Sequence, residues 1–128
     1  MDRNPIHTDN APEAIGPYSQ AIVHDGVLYC SGQIPLDPGT GNADDASLAS
    51  ETTSCLRNLE AVCEAAGTEL ANALRLTVYT TNLEAFAEIN EAYAAFFESE
   101  PPARAAVGVA ALPKGVRVEI DAIVALSR

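Results

Sequence analysis

The chain switches between two hydrophobic periods. In the segment 20–32, QAIVHDGVLYCSG, two apolar-rich runs flank Asp25-Gly26. That dipeptide tolerates the left-handed backbone of a tight primed turn, so the segment predicts a β-hairpin. A loop rich in Pro, Gly and Asp follows, IPLDPGTGNADD. From about Ser47 to Ala66 the period lengthens to that of a helix, with Leu48, Cys55, Leu56, Leu59, Val62, Cys63 and Ala66 recurring on one side. Asp44, Asp45 and Ser47 are candidate caps at its start, and Gly67 is a natural stop.

The period-two pattern returns in LRLTVYT, residues 74–80, where Leu74, Leu76 and Val78 alternate with Arg75, Thr77 and Tyr79. A second helix is predicted from about Leu83 to Phe97, with Phe86, Ile89, Tyr93, Phe96 and Phe97 on its inner face. Pro101 and Pro102 prevent its continuation. A strand of small apolar residues is predicted over about 104–110. After LPKG, a last strand over 116–126 puts Val118, Ile120, Ala122 and Val124 on one face. Arg117, Glu119, Asp121 and Ile123 fall on the other.

The order ββαβαββ, with a short extra strand near Ile6, predicts an α+β sandwich: one mixed sheet with two helices on one face. The 104–110 strand is apolar on both sides, since Ala105, Val107 and Val109 alternate with Ala106 and Gly108. No part of the chain is left to cover the second face, which predicts that another copy of the protein does so.

Composition narrows the function classes. The 128 residues, nearly half of them apolar, predict a single domain over 1–128 with a real core. The longest apolar stretch, Ala105 to Leu112, is far short of a membrane span. The N-terminus MDRNPIHTDN has no apolar signal core, so a cytoplasmic location is expected. Eighteen acidic residues against seven basic ones give a net charge of −11, and only one of the basic residues, Lys114, is a lysine. Such a field repels phosphate backbones and makes nucleic acid an unfavourable partner. It fits either an ordinary acidic protein or one adapted to high salt, where screening shrinks to about 3 Å at 1 M. Cys30, Cys55 and Cys63 form no CxxC pair and predict packing thiols in a reducing compartment. With His7 and His24 they make no metal-ligand spacing, so no metal is expected.

The chemistry centres on Arg104, in PPARAAVGV. An ion pair with a nearby carboxylate is one role for it. The other is an anion clamp, because a guanidinium fork matches a carboxylate bidentately. Glu119 is open to two roles, cross-strand partner of an arginine or general acid/base. Tyr18, after a Gly-Pro turn, is either a packing aromatic or a hydroxyl-bearing lid over a small ligand. At Ser31-Gly32 a strand ends where a glycine lets a ligand approach the backbone closely. Asn90 sits in a helix, where a solvated role competes with a functional one. No Ser-His-Asp set can be drawn. The residues alone lead to an oligomeric α+β protein with a pocket for a small carboxylate.

The segments NAPEAIGPYSQAI, LYCSGQIPLDPGTG, FAEINEAYAAFF and PPARAAVGVAALPKGVRVEIDAI, taken in order, resemble the reactive intermediate deaminase (RidA, or YjgF) family from about Thr8 to Leu126. The resemblance implies a chorismate-mutase-like fold and a homotrimer with sites between subunits. It also implies cofactor-independent hydrolysis of 2-imino acids such as 2-iminobutanoate and 2-iminopropanoate to 2-keto acids and ammonia. Matched by motif, Arg104 becomes the substrate-carboxylate arginine and Glu119 the acid beside the attacking water. Tyr18, Ser31, Gly32 and Asn90 match pocket positions. The chain departs from many members of the family at Ala106, where they carry cysteine. Imine hydrolysis needs an oriented water and a proton relay rather than a covalent thiol, and the Ala106 carbonyl can still orient water. The rival expectations are a trimer that binds keto acids without turnover, and a ribonuclease, which the acidic charge opposes.

Overall fold

The computed structural model describes residues 2–126. Six strands form one sheet: β1 (Asn4–Ile6), β2 (Ala21–His24), β3 (Val27–Gln33), β4 (Ala73–Thr80), β5 (Ala103–Gly108) and β6 (Val118–Ala125). The two helices are α1 (Leu48–Ala65) and α2 (Phe86–Ala94). The strand order is β1-β2-β3-β6-β4-β5, with β4 and β5 parallel and every other neighbouring pair antiparallel. This is the mixed α+β sheet expected from the pattern, including the short strand at Ile6.

Local chemistry explains the elements. Asp25 and Gly26 both have positive φ, 56° and 82°, which closes the β2–β3 hairpin with the twist its strands need. Ser47 caps α1 by accepting a hydrogen bond from the Ser50 N–H at 3.0 Å. At the other end Gly67 takes φ +83°, and the Thr68 N–H donates to the Cys63 carbonyl at 3.0 Å, which ends the helix. Leu48, Cys55, Leu56, Leu59, Val62 and Cys63 are all buried against Leu28, Cys30, Leu76, Val78, Val118, Ile120 and Val124 of the sheet.

Three expectations need correction. Leu74 lies where the β4–β6 register shifts between Ala73 and Arg75, so the bulge turns it out of the alternation and leaves it half exposed. The second helix opens with a 3₁₀ turn at Leu83–Ala85, and its α-helical part ends at Ala94 rather than Phe97. Phe97 is nonetheless buried, stacked 4.9 Å from Tyr93. The fifth strand is Ala103–Gly108, shifted one to two residues towards the prolines.

The face away from the helices is traced by the ladder. Ile22 pairs with Tyr29, Tyr29 with Ile123, Ile123 with Arg75, Asp121 with Thr77, and Glu119 with Tyr79. Thr77 and Tyr79 pair in turn with Ala105 and Val107. Tyr29 and Val107 are exposed there.

Candidate active site

Four of the candidate residues meet in one cleft. Tyr18, Ser31, Gly32 and Glu119 line a cavity of about 580 Å³, together with Pro12, Ile15, Ile34, Leu36 and Lys114 among others. Gln20 lines it as well. Its buried amide accepts from the Thr8 N–H at 2.7 Å and donates to the Thr8 and Pro12 carbonyls at 3.1 and 2.8 Å. These bonds pin the loop that carries Tyr18. The Tyr18 hydroxyl accepts from the Ile15 N–H at 3.3 Å, and Ser31 Oγ donates to the Ser19 carbonyl at 2.6 Å.

The floor of the cleft is a β-bulge. Cys30 pairs with Ala122 and Gln33 with Ile120, so Ser31 and Gly32 together oppose the single residue Asp121. The bulge brings the Gly32 backbone under the Glu119 side chain. A Cβ at position 32 would stand 2.9 Å from Glu119 Cδ and closer still to a carboxylate oxygen. Gly32 is therefore required by close approach, as the sequence suggested, but the group that approaches is the acid itself. Burial raises the pKa of Glu119, and the Asp121 carboxylate two residues along the strand raises it further. A carboxyl tuned upward is suited to exchanging a proton with a bound water.

Arg104 is elsewhere. It pairs across the ladder with Leu76, so it projects on the helix side of the sheet, at the edge strand and opposite to Glu119. Its Nη1 donates to Asn90 Oδ1 at 2.7 Å. The guanidinium carbon lies 5.2 Å from the centroid of Phe86 and 4.8 Å from that of Tyr93. Arg104 and Asn90 line a second cavity of about 410 Å³ with Tyr93, Ala94, Phe97, Pro101 and Pro102. Ala106, paired with Val78, follows on the same face. Among the described residues Arg104 makes no ion pair. Within one chain the candidate residues fall into two cavities separated by the sheet.

The aromatic shelf beneath Arg104 is not evident in the sequence, where Phe86 and Tyr93 read only as inner-face residues. Their spacing from Asn90, four and three residues on one helix, is the available signal. Lys114 and Ile15 likewise carry no mark as lining residues. The thiols stay out of both cavities. Cys30, Cys55 and Cys63 are buried on the helix side. Contact with Cys63, and then burial, pushes the Cys30 thiol up; burial does the same for Cys55. Iodoacetamide is accordingly expected to leave any turnover unchanged in the native assembly. Rapid inactivation with Cys30 modified, slowed by pyruvate, would place a thiol in the chemistry after all.

Comparison with known proteins agrees with this fold. The profile of the Endoribonuclease L-PSP family matches residues 8–126. The chain is 48% identical over 123 residues to the RutC family protein y4sK of Sinorhizobium fredii, covering 96% of this chain and 98% of that protein. It is 45% identical over 121 residues to the human 2-iminobutanoate/2-iminopropanoate deaminase, covering 94% and 88%. The crystal structure of E. coli TdcF with bound serine superposes with a TM-score of 0.91 at 39% identity, covering 97% and 99%.

Proposed function

Because the chain belongs to the Endoribonuclease L-PSP family, the YjgF/RutC/RidA group, we propose that it hydrolyses 2-imino acids to 2-keto acids and ammonia. The observation that carries this reading is the state of Arg104. It is held by a neutral amide and two aromatic faces, with no carboxylate at ion-pair distance among the described residues, in a chain of net charge −11. A guanidinium oriented in that way keeps donors free for an anion, and a carboxylate fits its fork. The serine held by the E. coli relative is a small amino acid of the size such a fork would take.

In this mechanism the imino acid's carboxylate docks on Arg104, and C2 faces the Glu119 carboxyl of a second copy. Water adds to C2 as the C=N electron pair moves to nitrogen. Glu119 takes the proton that the water sheds and returns it to nitrogen. Glu119 then carries the hydroxyl proton of the tetrahedral intermediate to the same nitrogen; as the C–O bond becomes a carbonyl the C–N bond breaks, releasing ammonia and leaving the keto acid. The residues ask for no cofactor. The open sheet face and the two cavities support a homotrimer whose clefts join Arg104 and Asn90 of one subunit to Tyr18, Ser31, Gly32 and Glu119 of the next.

The test is an imine-quenching assay, with an amino-acid oxidase generating the imine and semicarbazide trapping what remains. Arg104→Ala is expected to lose roughly ten- to a hundredfold in rate, the equivalent of about 1.5–3 kcal/mol for a charge-assisted contact. Arg104→Lys should recover little, because a point charge does not replace the fork. Full activity in an assembled Arg104→Ala protein would reject the clamp. A stable monomer by sedimentation would reject the shared site.

A further inference from the structure

Glu119 has neighbours that the reaction scheme leaves unused. Tyr79 is its direct cross-strand partner on β4, and Asp121 lies two residues further along β6 on the same face. The Tyr79 hydroxyl donates to Asp121 Oδ2 at 3.1 Å, a diagonal bond across the ladder. Asp121 is also the residue that the Ser31-Gly32 bulge opposes. The pair is therefore locked to the strand segment and the bulge that place Glu119.

We propose that Asp121, held by Tyr79, is a positioning residue for Glu119: its fixed negative charge biases the neighbouring carboxyl towards keeping the proton it must deliver to the departing nitrogen. The inference rests on the role given to Glu119 above. A second carboxylate two residues along the same strand face makes ionisation of the half-buried Glu119 less favourable, adding to the effect of burial. The tyrosine hydrogen bond fixes the Asp121 side chain on the sheet face it shares with Glu119. Tyr79 itself is kept protonated, because burial and the Asp121 charge raise its pKa. The other groups around Glu119 do not substitute for this pair. Glu13, Tyr18 and Lys114 line the cleft from loops. Cys55, on α1, is fully buried on the far side of the sheet. Arg117, just before the strand of Glu119, is committed to Glu51.

The test compares Asp121→Asn and Asp121→Glu in the intact, assembled protein. The Glu119 carboxyl carbon is titrated by NMR, and the pH profile of imine hydrolysis is measured alongside. In Asp121→Asn the Glu119 midpoint and the acidic limb of kcat should both move to lower pH, with kcat on the plateau falling by up to about tenfold as the base weakens. Asp121→Glu should restore both. Tyr79→Phe, which frees the Asp121 side chain, should move the Glu119 midpoint in the same direction as Asp121→Asn, by less. A Glu119 midpoint unmoved in Asp121→Asn would overturn the proposal, whatever the activity. A midpoint that moves in a protein without turnover would uphold the pair and reject the hydrolytic reading instead. Should Asp121→Asn fail to assemble, Tyr79→Phe decides alone: a Glu119 midpoint unchanged by loss of the phenol overturns the proposal.

Discussion

Glu119→Gln is expected to lose about 10²- to 10⁴-fold in kcat, the range over which a positioned acid/base acts, while folding at least as stably as the parent chain. The two effects have one cause. Glu119 is half-buried against Gly32, and no hydrogen-bond donor meets its carboxylate among the described residues. Its pKa is raised by burial and by Asp121. A carboxyl whose pKa is higher in the fold than in the unfolded chain contributes its full stability below the ordinary carboxylate range. That contribution is lost as pH rises through the raised value. Above it the ionised Glu119 is a cost to the fold, and glutamine, nearly isosteric and uncharged, does not carry that cost. Activity and stability should therefore move in opposite directions at neutral pH, and the stability gain should vanish in acid. The checks are the imine-quenching assay and thermal melts across pH. A Glu119→Gln protein that melts lower than the parent at neutral pH, or that turns over at the parental rate, would return Glu119 to an ordinary surface acid.

The sequence shows the elements well where one interaction dominates. The last strand alternates cleanly because helix α1 and the core cover one side, so Val118, Ile120, Ala122 and Val124 are all buried. Asp25-Gly26 set the hairpin because only a left-handed turn closes it. The second helix reads too long because Phe96 and Phe97 keep the apolar spacing. Phe97 is buried and Phe96 partly buried from the turn after Ala94, not from continued helix. Leu74 reads as an inward residue because period two carries no mark of a bulge. The motif around Arg104 and Glu119 is legible as chemistry, but its split across two sheet faces is not, since faces follow from strand pairing rather than from spacing.

Glu51 shows what the pattern contains but does not yield. It lies between Leu48 and Cys55 on the inner stripe of α1, where an acid demands a partner. The partner is Arg117, just before the strand of Glu119. Glu51 Oε1 accepts from the Arg117 backbone N–H at 2.8 Å and Oε2 from its Nε at 2.7 Å, while the Arg117 carbonyl accepts from the Thr81 N–H at 3.1 Å. The entry to β6 is thus fastened to a helix on one side and to the end of β4 on the other.

Arg117→Ala is expected to cost about 3 kcal/mol, because it strands a carboxylate that is 1% exposed, whereas the guanidinium it removes was 38% exposed and partly solvated. At roughly 3–5 °C per kcal/mol for a domain of this size, the melting temperature should fall by about 10–15 °C. Glu51→Ala should cost less, since the freed guanidinium can turn to water. The double variant Glu51→Leu, Arg117→Met should recover part of the loss but not all, because the Arg117 N–H would still lack its acceptor. If Arg117→Ala costs no more than Glu51→Ala, the buried acid is not what the pair protects. Turnover adds a second reading of the same experiment. Glu119 is placed by a strand that begins at this clamp, so Arg117→Ala should lower kcat even at temperatures where the fold is intact. A variant that melts early yet keeps the full rate when cold would confine the clamp to stability and leave the placement of Glu119 to the Gly32 bulge alone.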